Sequence, residues 1–102
     1  MKHYTRTLSL FLFISFAFSQ TQLGSDIDGE AANDYSGWSV SMNSAGDRVA
    51  IGAANNAGTG SNAGHVRIYE YSNSSWTQLG SDIDGEAAND FYGNSVSMNS
   101  AG

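Results

Sequence analysis

The chain has 102 residues, with ten Asp and Glu against four Lys and Arg, no cysteine and no proline. A formal net charge of −6 leaves too few cations to neutralise a run of phosphates or to hold an anionic lipid surface, which excludes a nucleic-acid binder and a polybasic membrane anchor. The lack of cysteine also excludes a disulfide framework.

Residues 1–19 have the layout of a secretory signal. Lys2, His3 and Arg6 form a basic start, Leu8 to Phe18 is apolar apart from Ser9 and Ser15, and Ala17-Phe18-Ser19 sets up cleavage before Gln20. The run is shorter than the roughly 20 helical residues that span a bilayer. An uncleaved anchor or a buried helix is the alternative. The expected mature chain keeps only Arg48 and Arg67 against all ten acids, a formal charge of −8. It is expected to be secreted or at the cell surface, with no membrane insertion after signal removal.

Thr21 to Gly46 returns almost letter for letter as Thr77 to Gly102, an offset of 56 residues. Only Tyr35/Phe91, Ser36/Tyr92 and Trp38/Asn94 differ between the copies. A period of this size marks a repeat architecture, in which each unit buries its apolar faces against its neighbours. The first copy runs on into Asp47 to Ala53 whereas the second stops at Gly102, so the chain is expected to be the N-terminal piece of a longer protein.

Within the repeat, short alternating runs are separated by Gly, Asn, Ser and Asp clusters, the pattern of an all-β chain. The alternation predicts four antiparallel strands at residues 38–43, 48–53, 65–71 and 76–83. Asn43 to Asp47 is the hairpin turn between the first two. Residues Asn55 to Gly64 read as a polar loop without an apolar anchor, either a flexible connector or a ligand-contacting rim. The third strand carries Val66 and Ile68 on one face and Tyr69 and Tyr71 on the other, which puts it between two layers. Four strands per unit of this length fit one blade of a β-propeller. The expected fold is therefore all-β: antiparallel four-stranded blade repeats of a β-propeller, present as about one and a half repeats. Residues 20–36 would be an outer strand and inter-blade loop, 37–83 a complete blade and 84–102 the start of the next.

The order of short motifs supports this. Asp90-Phe91-Tyr92-Gly93-Asn94-Ser95-Val96 is followed in repeat order by elements like Gly52-Ala53-Ala54, Gly64-His65-Val66-Arg67-Ile68-Tyr69 and Ser75-Trp76-Thr77-Gln78-Leu79. Together they resemble the FG-GAP repeat, the blade unit of integrin-α-type propellers, in a bacterial surface version. The chain departs from that pattern at Ser36-Gly37, where the motif has Phe-Gly, and at Ala54, where it has proline. The resemblance implies a secreted propeller, commonly of about seven blades, used for binding or adhesion.

Two acidic clusters are candidate metal sites: Asp82, Asp84, Glu86 and Asp90, and their equivalents Asp26, Asp28, Glu30 and Asp34. Alternating carboxylates around a glycine can supply several of the six to eight oxygens that calcium takes. The spacing is not that of the Asp-x-Asp-x-Asp-Gly calcium loop. The resembled family's calcium loop falls at Asn43 to Asp47, which has one carboxylate and too little chain to wrap an ion. The competing reading is a solvated inter-blade loop, with Asp34 and Asp90 fixing turn amides. His65 reads as a surface histidine at a strand end. Trp38, Trp76 and the tyrosines suit either sugar stacking or blade packing.

No Gly-x-Ser-x-Gly and no local Ser/His/Asp arrangement is present, so no catalytic residue is expected. No cofactor is expected either, calcium apart. The sequence thus predicts a non-enzymatic module whose partners are a protein or glycan ligand and the neighbouring blades. The alternatives are the propeller of an extracellular enzyme with its catalytic part elsewhere, and a structural spacer.

Overall fold

The computed structural model describes residues 21–102, so the expected leader lies outside the described residues. The described residues form an all-β structure without helices. Its strands are β1 (Ser36–Met42), β2 (Arg48–Ala53), β3 (His65–Ser72), β4 (Ser75–Gln78) and β5 (Ile83–Asp84). They make one antiparallel sheet in the order β1-β2-β3-β4, with β5 also pairing with β3.

The hairpin from β1 to β2 is closed by an asparagine. The Asn43 side-chain oxygen accepts from the amides of Asp47 (3.1 Å) and Arg48 (3.0 Å), and its Nδ2 donates to the Asp47 carboxylate (2.6 Å). A short side chain that bonds its own turn in this way is what makes asparagine a turn residue.

The single strand expected over residues 76–83 is two strands. Tyr69 pairs with Gln78 and Val66 with Ile83, so the four residues Leu79–Asp82 lie opposite two on β3, Arg67 and Ile68. This bulge turns on Gly80, at φ +71°, a left-handed conformation that favours glycine. It re-aims Asp82 towards Arg67. β1 also begins two residues earlier than expected, with a bulge between Ser36 and Ser39.

The register assigns the faces. Val40 and Met42 of β1 pair with Ile51 and Val49, which continue into Arg67 and Tyr69 of β3. Gln22 to Asp28, from the first copy, lies over this face, and Trp76 Nε1 donates to the Leu23 carbonyl at 2.9 Å. Ala50, Val66, Ile68 and Ile83 face a groove of about 640 Å³ whose far wall is Phe91 to Gly102, from the second copy. Different parts of the two copies therefore cover opposite faces of one sheet, while their counterparts, within Tyr35–Gly46 and Gln78–Asp84, belong to the sheet itself. β3, in its middle, has both faces covered.

The turns of the two copies fold alike. Asn33 and Asn89 have φ of 65° and 64°, and Tyr35 and Phe91 of 56° and 50°. The turn bond from the Trp38 amide to the Tyr35 carbonyl (3.0 Å) recurs from Asn94 to Phe91 (3.1 Å). That from Gly46 to Asn43 recurs from Gly102 to Asn99, both at 3.1 Å. The turns thus recur, although Gly93–Asn99 forms no strand where its counterpart is β1, and Thr21–Asp28 forms none where Thr77–Asp84 supplies part of β4 and β5.

The Asn55–Gly64 loop is an anchored element rather than a flexible connector. Ala63 is fully buried and Asn56 nearly so. The carbonyls of Ser61, Asn62 and Ala63 accept from the amides of Asn89, Phe91 and Tyr92 at 2.8–2.9 Å, and the Thr59 hydroxyl donates to the Gly85 carbonyl. The loop is the seat on which the second copy rests. Its lack of large apolar side chains allows this close backbone approach.

Candidate functional site

Two places on this scaffold concentrate chemistry. The first is where the acidic loops of the two copies converge on β3. His65 and Arg67 project from the same face of that strand, two residues apart. Arg67 holds Asp82 through Nε (2.8 Å) and one terminal nitrogen (2.9 Å), and that same nitrogen reaches Glu30 at 3.1 Å. Gln78 Nε2 adds a donor to Asp82 at 2.7 Å. The bidentate guanidinium, then Gln78, hold the Asp82 carboxyl down at about 2. The same contact with Asp82 raises Arg67 above its ordinary value.

Asn56 completes the frame from the anchored loop. Its Nδ2 donates to Glu30 (3.1 Å) and to the buried Asp34 (2.8 Å), while its Oδ1 accepts from the Gly58 amide (2.9 Å). Asp34 thus bonds a side chain from 22 residues along, whereas Asp90 fixes a turn amide, that of Ala87, at 2.9 Å. Asp26 accepts from Gln22. Asp28 lines the groove beneath Trp76, and Glu86 is exposed.

His65 lies at the centre. It is buried, not at the surface, with only 3% of the residue exposed. Its Nδ1 has no hydrogen-bond partner and faces carboxylate oxygens of Glu30 and Asp82 at 3.8 Å and of Asp84 at 3.9 Å. Among the described residues, Glu30, His65 and Asp82 are the one group of three potential metal ligands with donor atoms within 4.8 Å of one another. The structure thus divides each sequence-read acidic set. Asp82 and Asp84 of the second copy join Glu30 of the first, with Glu86 and Asp90 elsewhere. The sequence reading placed His65 at the surface and gave Arg67 and Asn56 no role in a site. The signal for the first two was a His-x-Arg pair on one strand face in a chain with ten acids and only two arginines among the described residues.

The second place is an aromatic cleft. Tyr35, Trp38, Phe91 and Asn94, together with Ala54 and Asn55, line a space of about 370 Å³. The Tyr35 and Trp38 rings meet edge-on, with centroids 5.9 Å apart. Both are more than half exposed, at 53% and 63%. These residues include two of the three positions at which the copies differ, Tyr35/Phe91 and Trp38/Asn94. Variation is therefore concentrated on one exposed cleft, while the contacts between copies keep their sequence.

No family model, curated protein or solved structure matches the chain. Among the described residues, no helix is long and apolar enough to cross a membrane.

Proposed function

We propose that the chain is a module of a β-propeller of the FG-GAP kind, working outside the cell as a non-enzymatic binding or adhesion protein, and that its ligand is a glycan. The observation that carries the binding role is the aromatic cleft. Exposed rings of Tyr35, Trp38 and Phe91 offer flat apolar faces for the C–H faces of a sugar, and Asn55 and Asn94 offer amides for its hydroxyls. Two of the three positions that differ between the copies line this exposed cleft, and exposed segments on a rigid scaffold are where binding residues concentrate.

The packing of the copies supports the propeller. Blades stack face to face about an axis, and here segments from both copies cover the two faces of one antiparallel sheet to which both copies also contribute strands. Glycan-array screening of the secreted chain tests the reading. Retention of a defined glycan class that Trp38→Ala abolishes, with the far-UV circular dichroism unchanged, is the expected result. Retention that survives Trp38→Ala, or the lack of any glycan retained, rejects it.

A further inference from the structure

We infer that His65, Glu30 and Asp82, with Asp84 beside His65, form a site for a first-row divalent cation of zinc type, which clamps the acidic loops of the two copies to β3. The inference stands apart from the glycan reading, because it uses none of the cleft residues.

Three features carry it. The His65 side chain is 96% buried, yet its Nδ1 has no partner and points at three carboxylates. A buried polar nitrogen is ordinarily bonded, so one that faces carboxylate oxygens beyond hydrogen-bond reach calls for a bridging group. The separations of 3.8–3.9 Å are too long for hydrogen bonds. They lie within a few tenths of an ångström of the roughly 3.4 Å between ligands of a tetrahedral ion with bonds of about 2.0–2.2 Å. Finally, the charge closes. Three carboxylates face His65 and one guanidinium, that of Arg67, holds two of them, so a dication brings the cluster to neutrality and a proton on His65 does not.

The donor set selects the ion. Calcium and magnesium take oxygen ligands, whereas one imidazole with carboxylates suits zinc and its neighbours. The surroundings also match. Glu30 is oriented by Asn56 and Arg67, and Asp82 by Arg67 and Gln78, the outer bonds that set ligand carboxylates in place.

The test is a calorimetric titration of the whole chain, stripped with EDTA, using zinc chloride and then calcium chloride. His3, the other histidine, is replaced by glutamine in every sample. The His65 ring nitrogens are followed by nitrogen-15 NMR. We expect one zinc ion per chain and a zinc-dependent shift at His65 that equal calcium does not produce. Glu30→Gln and Asp84→Asn, both on partly exposed side chains, should each weaken zinc binding at least tenfold, and Glu86→Gln by less than twofold. An unmoved His65 signal overturns the inference, whatever the heat evolved. So does equal zinc affinity in Glu30→Gln and Asp84→Asn, or a loss caused by Glu86→Gln in their place.

Discussion

Ser44 donates both its amide and its hydroxyl to the carbonyl of Ser100, each at 3.1 Å, and Ser100 is its own equivalent 56 residues on. Neighbouring bonds follow the same relation closely. The Ser39 hydroxyl donates to the Gly93 carbonyl at 2.7 Å, the Met98 amide to the Ser41 hydroxyl at 2.9 Å, and Arg48 to the Gly102 carbonyl at 3.1 Å. Small hydroxyls on β1 thus replace a strand ladder with a side-chain seam between units. The bond at Ser39 is half-buried, so Ser39→Ala should destabilise the chain by about 1 kcal/mol, and Ser44→Ala, which is exposed and keeps its amide bond, by less than about 0.5 kcal/mol. Urea unfolding of both variants decides the order. Equal losses would mean that the seam contributes nothing through its burial.

The same seam demands glycine at its closest point. A Cβ on Gly52 would collide with the Gly93 carbonyl and the Ser39 hydroxyl, whereas one on Gly80 would meet nothing. Gly80→Ala therefore carries only the penalty of a left-handed backbone, about 1 kcal/mol. Gly52→Ala must push the second copy off the sheet and should lose well over about 2 kcal/mol. Limited proteolysis adds a local readout, with faster cleavage within residues 93–102 in Gly52→Ala alone. Protection equal to that of the parent chain would remove the close approach from the account.

Much of the sheet was legible because period-two alternation bounded by Gly and Asn clusters is a local signal. β2 begins and ends where the pattern of Val49 and Ile51 predicts it. The break after Gln78 was not legible, for a definite reason. The bulge inserts two residues, so Thr77 and Ile83 stay on one face and the alternation continues in phase through the interruption. The cluster around His65 was hidden differently. Glu30, His65 and Asp82 span 52 residues of sequence and meet only once both copies have packed onto β3. Read alone, a strand-end histidine in a polar chain looks solvated.

Acid should weaken the fold through Asp82. Its carboxyl is held at about 2 in the folded chain, below the ordinary 3.8, first by the Arg67 guanidinium and then by Gln78. The folded state favours the charged form, so the stabilisation is complete above pH 4 and is lost as the pH falls from about 4 towards 2. Asp82 is partly solvent-exposed, which limits the loss to about 1 kcal/mol. Urea midpoints in EDTA at pH 7, 4, 3 and 2 should fall more for the parent chain than for Asp82→Asn across the acid interval. Parallel curves would place the acid sensitivity at other carboxylates.

Asn56 is the most exacting position in the loop that seats the second copy. Its residue is 3% exposed, its Nδ2 serves Glu30 and Asp34, and its Oδ1 takes the Gly58 amide. Asparagine fits because it presents two donors to two carboxylates and an acceptor to the backbone. Asn56→Ala strands Asp34, itself buried, without its donor, and should destabilise the chain by about 2–3 kcal/mol. Asn56→Asp has almost the same shape but sets a third carboxylate against Asp34 and Glu30, so it should cost more than alanine at pH 7. Urea titrations of the two variants at pH 7 test this. An aspartate variant as stable as the alanine one at pH 7 would show that Asn56 acts by shape alone and that its two donors are dispensable.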